Sequence, residues 1–277
     1  MKAIVEIKGG FGNQIFQYSF ANYLKNIGYN VSVNINKSNV YRFPLDSNHF
    51  GFKQTNKLEV SFFKFLYIVS QKSIFNFSID KLISKFFRKE FNFDSFLSNK
   101  NCYLNHFDGY WQNIDIIKNQ RSYLVDSLKK VKIFNDNLDN NTQQGTTLIH
   151  VRRGDYVNVG ENLSIEFYKE AIEYCKNKID NFSFEVFSDD PDWVIKQNIF
   201  KDAKAVHGPN GNSDELLLEI SKMFKFENFV VGNSTFSLIP ALLSKSETSI
   251  IIVADPWMKN SKRDLNFDES LVKISNF

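Results

Sequence analysis

The chain has 277 residues, a formal net charge of +3 and a hydrophobic share of 43%. That length suits one large core or two modest ones sharing a boundary, and the near-neutral charge argues against a nucleic-acid binder. Two distant cysteines, Cys102 and Cys175, argue against a disulfide scaffold and fit a reducing compartment. Phenylalanine is abundant, with 29 residues, which base composition explains as readily as function. The opening MKAIVEIKGG lacks the apolar core of an export signal, which predicts a cytoplasmic location. No run approaches the ~20 apolar residues that cross a bilayer, so any membrane contact is predicted to be peripheral, at the inner face.

In chain order, the β-branched run Ala3–Ile7 reads as a buried strand that ends in the glycine turn Gly9-Gly10. Ile15, Phe16, Phe20 and Leu24 then recur at helical spacing, predicting a helix from about Asn13 that Gly28 stops. Val31–Ile35 is a second strand, so the chain opens as a β-turn-α-β unit. From about 50 to 100 the text turns rich in Phe, Lys and Ser. Lys53, Lys57, Lys64, Lys72, Lys81, Lys85, Arg88 and Lys89 outnumber Glu59, Asp80 and Glu90 there. Two readings stand: a helical insert with its Phe face on the core and its lysines in water, or a face for anionic lipid or a lipid-linked acceptor.

The polar, turn-forming run 135–145 reads as a linker, dividing the chain into domains of about 1–135 and 146–277. Beyond it, strands are predicted at Thr147–Val151, Phe182–Phe187, Lys204–His207, Phe229–Val231 and Ser249–Val253. Helices are predicted at Ile165–Ile179, Ser213–Phe224 (Ser213 as N-cap) and Ser234–Leu243. Strands alternating with helices predict an α/β class with parallel sheets covered on both faces.

Four segments stand at predicted strand ends, where open α/β sheets bind ligands. In Lys8–Gln14, Gly9, Gly10 and Gly12 allow close backbone approach before a helix N-terminus that favours anions. The segment is neither a Walker A loop nor a GxGxxG fingerprint, and a plain tight turn explains it equally. In His150–Tyr156, Arg152 and Arg153 stand side by side, and a diphosphate is their natural partner. Asp155 is placed to hold one arginine and His150 to orient the other; an ordinary ion-pair cluster is the alternative. The embedded Arg-Gly-Asp follows a predicted buried strand, which argues against adhesion. In Phe187–Trp193, Asp189 and Asp190 are candidates for nucleotide recognition or for capping a helix. No further carboxylate or histidine clusters with them, so no metal site is predicted. In Val231–Ser237, Asn233, Ser234, Thr235 and Ser237 form a candidate phosphate cradle, or a simple cap.

At these four places the sequence resembles the family 11 glycosyltransferases, the bacterial α-1,2-fucosyltransferases. GGFGNQIFQYSFANYL, HVRRGDY, FSDDPDW and GNSTFSLIPALLS carry the resemblance in order, with ADPW at Ala254–Trp257, while residues 45–100 add little to it. The resemblance implies a GT-B-like fold, two Rossmann-like domains facing across a cleft, with the first on the acceptor side and the second binding the donor. It implies GDP-β-L-fucose as donor, a galactose-terminated glycan as acceptor, inversion at the anomeric carbon, and no metal or other cofactor. It assigns Arg152 to the donor diphosphate, with Arg153 beside it and Asp155 in support. Asn13 falls near the diphosphate and acceptor, Asp189 and Asp190 where the guanosine is read, and Ser234, Thr235 and Ser237 at the phosphates. The residues do not name a general base; His150 and Asp155 are the candidates, each also readable as a brace. Rival expectations are a transferase for another nucleotide sugar and a non-catalytic nucleotide-sugar binder.

Overall fold

The computed structural model describes residues 1–40, 44–72, 87–98, 102–138, 143–208, 213–260, 265 and 267–275. The chain divides into two compact units, Met1–Ser127 and Leu128–Phe277. The division falls ahead of the polar run 135–145. Helix Lys132–Leu138 belongs to the second unit because Phe134 is fully buried and meets the ring of Phe224 edge-on at 5.7 Å. Residues 139–142 lie outside the description.

The first unit is built on four parallel strands: β1 (Lys2–Gly9), β2 (Asn30–Val40), β3 (Phe87–Glu90) and β4 (Leu104–Phe107), in the order β2-β1-β4-β3. β1 is central, and Ala3, Ile4, Val5 and Ile7 are wholly buried, as a strand covered on both faces requires. Helix α1 (Phe11–Asn26) starts two residues earlier than its apolar spacing suggests and is buried almost all round in its first three turns. Gly9, at φ +79, makes the turn into it; a Cβ there would stand 2.8 Å from Asn13 Nδ2. Phe20 stacks on Trp111 at 4.2 Å, and Phe107 and Phe96 meet it edge-on. Phenylalanine-rich composition thus becomes an aromatic core.

The expectation of a purely helical insert over 50–100 is corrected by β3. Helices α2 (Lys57–Lys72) and α3 (Phe93–Ser98) are present, but Phe87–Glu90 lies between them as an edge strand paired in parallel with β4. Its charges misled because they do not face water. Arg88 is 8% exposed, donates from Nε to Asn105 Oδ1 at 2.7 Å, and lies over the rings of Phe96 and Phe107. Lys81 and Lys85 lie outside the described residues.

The second unit carries six parallel strands: β5 (Gln143–Val151), β6 (Ser183–Ser188), β7 (Val206–His207), β8 (Phe226–Val230), β9 (Ile251–Asp255) and β10 (Val272–Ser275). Their order is β10-β9-β8-β5-β6-β7. Counted from β5 this is 3-2-1-4-5-6, the doubly wound arrangement. The connecting helices α4 (Ile114–Asn119) and α5 (Arg121–Lys129) precede the sheet, with α6 at Lys132–Leu138. Then come α7 (Gly154–Val159), α8 (Ile165–Lys178), α9 (Pro191–Ile195), α10 (Ser213–Met223) and α11 (Thr235–Ser244). Ser213 is the first residue of α10; what would precede it as a cap lies outside the described residues. Chain direction reverses its walk across the sheet between β5 and β8, and that reversal is where a ligand crevice forms in this topology.

Candidate active site

The reversal point of the second sheet is flanked by the two loops that the sequence marks most strongly. β5 ends at Val151 and delivers Arg152 and Arg153; β8 ends at Val230 and leads through Gly232–Ser234 into α11. Arg152 is held from two sides. Its Nη1 lies 2.7 Å from Asp189 Oδ2 and its Nη2 2.5 Å from Asp155 Oδ1. Arg152 Nε is buried and has no hydrogen-bond partner. A guanidinium so oriented keeps donor capacity in reserve, and its natural complement is an anionic oxygen.

Arg153 is fixed just as closely. Its Nε donates to Asp190 Oδ2 at 3.1 Å, its backbone N–H to Asp189 Oδ1 at 2.8 Å, and its guanidinium stacks 3.8 Å from the ring centre of Trp193. Asp190 also caps α9, accepting from the Trp193 N–H at 3.1 Å. Asp189 and Asp190 therefore hold the two arginines, and the capping alternative for Asp190 holds as well. Gly154 makes room for this: a Cβ there would lie 2.6 Å from Asp189 Oδ2.

His150 is 4% exposed, with Nδ1 2.8 Å from Ser237 Oγ. Burial, then the Arg152 charge, pulls its pKa down to about 3. Its low pKa keeps the imidazole neutral, and its ring nitrogen meets Ser237 in the Gly232–Ser237 loop. Gly232 is required beside it, since a Cβ would stand 2.6 Å from the His150 carbonyl oxygen. Ser237 is wholly buried and turned to His150. Ser234 is the N-cap of α11, accepting from the Phe236 N–H at 3.3 Å, and Thr235 opens the helix. Asn233 is buried; its Nδ2 donates to the Glu161 carbonyl at 2.7 Å and its Oδ1 is without a partner.

Three further residues tie these loops together: Tyr156, the last of the HVRRGDY run, and Glu161 and Asn260, which no motif marked. Tyr156 lies under the Arg152 guanidinium and donates its hydroxyl to the Asn233 carbonyl at 3.2 Å. Glu161, 5% exposed, accepts from the backbone N–H groups of Lys259 (2.7 Å) and Asn260 (3.0 Å). Asn260 Nδ2 returns bonds to the carbonyls of Val159 and Gly160, at 3.3 Å each. A buried acid away from the apolar period is the only signal Glu161 gives in sequence.

Gly10, Gly12 and Asn13 belong to the first unit, at the end of β1, beside the loop that follows β4. That is the corresponding reversal point of the smaller sheet. Gln14 Nε2 donates to the Gly9 carbonyl at 3.2 Å, while Gln17 accepts from the Lys8 N–H (2.8 Å) and donates to the Gly109 carbonyl (3.1 Å). Asn13 Oδ1 accepts from Gln112 Nε2 at 2.8 Å, and its Nδ2 lies beside Gly9. The loop Asp108–Gln112 was not legible in the sequence. Asp108 bridges Lys8 (2.7 Å) and Lys89 (2.9 Å), and Trp111 sits at φ +54 with its ring buried. Burial alone would raise the Asp108 pKa, but the two lysines hold it below its ordinary 3.8.

With this geometry in place, the comparisons with known proteins fall into line. The model of glycosyl transferase family 11 matches residues 2–274. The chain belongs to glycosyltransferase family 11. Among curated proteins, this family member is 29% identical to an alpha-1,2-colitosyltransferase of Escherichia coli, over 94% of this chain and 93% of that one. It is 26% identical to the O-antigen biosynthesis glycosyltransferase WbnK of Escherichia coli, over 95% and 97%. Among solved structures, the fucosyltransferase NodZ from Bradyrhizobium superposes with a TM-score of 0.51 at 12% identity, covering 87% of this chain and 93% of that one. At that identity the likeness speaks for the fold. The family 11 motifs thus coincide with the strand ends of both units, and the glycosyltransferase class follows from membership.

Proposed function

We propose that this glycosyltransferase moves L-fucose from GDP-β-L-fucose to the 2-hydroxyl of a galactose in an oligosaccharide or O-antigen unit, with inversion and without a metal. The observation that carries this reading is Arg152, oriented by Asp189 and Asp155 and keeping an unpartnered Nε at the reversal point of a doubly wound sheet. The bond from the anomeric carbon to the β-phosphate oxygen breaks, and its electron pair leaves with GDP. The acceptor oxygen bonds the opposite face of that carbon and gives up its proton. Charge growing on the β-phosphate is met by Arg152 and by the free amides at the start of α11, dipoles already aimed before the reaction. In this reading the proton is lost late, to solvent, without a strong base, in keeping with the lowered pKa of the buried His150.

A second reading is supported by the alpha-1,2-colitosyltransferase relative. Colitose is fucose without the 3-hydroxyl, so both sugars suit one linkage chemistry, and a site built to hydrogen-bond that hydroxyl would favour fucose. Purified protein with lactose or N-acetyllactosamine, offered GDP-fucose or GDP-colitose with and without EDTA, tests both. An EDTA-resistant α-1,2-fucosyl product identified by NMR supports the first reading. Turnover with GDP-colitose alone moves the assignment to the second. GDP protection against unfolding with no turnover on any acceptor would leave a nucleotide-sugar binder.

A further inference from the structure

Over most of its length helix α2 is held to the first unit by one side. Phe63 is 1% exposed and meets the ring of Phe87 edge-on at 5.7 Å, Val60 is buried, and Leu66 and Tyr67 pack on the same cluster; Val69, in the last turn and in line with Phe62 and Phe65, is buried as well. The opposite side presents Leu58, Phe62, Phe65 and Ile68, at 82%, 51%, 56% and 48% exposure. Their spacing of four, three and three residues puts them on one continuous stripe. Single exposed apolar side chains are ordinary on a protein surface; four neighbours on one helix are not.

The charges around this stripe have one sign. Lys53, Lys57 and Lys64 are exposed. Glu59 is the only acidic residue between Gly51 and Lys72, and it is engaged by Lys2 and Thr55. Apolar side chains accompanied by exposed lysines in the same segment fit a layer that is oily inside and negative at its surface. A second copy of the chain fits less well, since pairing two such stripes would bring lysines against lysines. The helix has 16 residues, about 24 Å, and no helix among the described residues is long and apolar enough to cross a bilayer.

We infer that α2 is a membrane-docking helix, lying flat on an anionic lipid surface with Leu58, Phe62, Phe65 and Ile68 among the acyl chains and Lys53, Lys57 and Lys64 at the headgroups. This is independent of the sugar transferred. Docking turns a collision in three dimensions into a search over a surface, which matters for an acceptor carried on lipid.

Co-sedimentation of the full chain with vesicles tests it. One set is phosphatidylcholine; the other contains about a quarter phosphatidylglycerol, where each surface lysine strengthens binding about fivefold. Binding to the anionic vesicles should exceed neutral binding by about tenfold or more and weaken as salt rises. The double variants Phe62→Ser/Phe65→Ser and Lys57→Glu/Lys64→Glu should each abolish it at an unchanged melting temperature. Four outcomes overturn the inference. Wild type stays in the supernatant with both vesicle sets, or both variants bind like wild type. Phe62→Ser/Phe65→Ser converts a dimer to a monomer, which assigns the stripe to a second copy. Or the same variant lowers the melting temperature, which means that the chain itself covers the stripe.

Discussion

The two sheets share a topology rule and differ in chemistry at the point where it places a ligand. In the second unit the strand ends carry guanidinium groups gripped by carboxylates: Arg152 by Asp155 and Asp189, Arg153 by Asp190. In the first unit the equivalent place is built from amides and rings: Asn13 bonded to Gln112, Gln17 to Gly109, and Trp111 stacked on Phe20. One rim presents guanidinium groups, the other mostly amides and rings beside the Lys8–Asp108–Lys89 ion pairs. A sheet end is thus only an address; the side chains at its rim decide what is received there.

The strongest way to break this contrast is Arg152→Ala. Donor turnover should fall by about 100–1000-fold in kcat, read as GDP release. Arg152→Lys should restore little, because a single ammonium cannot span Asp155 and Asp189 while still facing the phosphate.

Acid should separate the units next. His150 has a folded pKa of about 3 against an ordinary 6.5, so the unfolded chain takes up the proton first. Its contribution is complete above 6.5 and is lost as pH falls from there toward about 3, at up to about 1.4 kcal/mol per pH unit. Asp108 is depressed below 3.8, so its contribution in the first unit persists down to that value and is lost only as pH falls through the folded pKa. Hydrogen exchange followed from neutral to mildly acidic pH should show amide protection falling first around β5 and β8. Equal loss in both sheets would remove His150 as the cause.

Smaller effects sharpen the same contrast. Gly232→Ala sets a Cβ 2.6 Å from the His150 carbonyl and should cost about 1–3 kcal/mol in urea unfolding. Gln112→Ala releases Asn13 Oδ1 and should weaken acceptor use about fivefold, with GDP affinity unchanged. A change in GDP affinity of the same size would place Asn13 with the donor instead.

Much of this was readable in the residues. The apolar period gave β1, α1 and most of the second unit, because strands buried on both faces and helices buried on one keep their periods in the text. The arginine pair and its partner Asp155 were visible because charged residues at a strand end need partners; the grip of Asp189 and Asp190 on the same arginines was not, since they were expected at the nucleotide. What stayed hidden depended on tertiary context. β3 is a charged tetrapeptide whose Arg88 is satisfied by Asn105 from another strand, and no local pattern announces that. β10 and β4 are four-residue strands, too short for alternation to register. The pairing of His150 with Ser237, 87 residues apart, was also hidden, since no local pattern announces it. Glu161 and Gln112 act through partners 98 or 99 residues away, a distance no motif spans.

The chain of bonds from Tyr156 to Asn233, from Asn233 to Glu161, and from Glu161 to Lys259 and Asn260 has a consequence for chimeras. Three segments distant in sequence are spliced into one part. A replacement segment that does not bring its backbone and side-chain groups to the same places would strand the buried Glu161 carboxylate or the Asn233 amide. Crossovers that carry all three together should give folded hybrids, and crossovers between them should not. Inheritance in this site is by cassette.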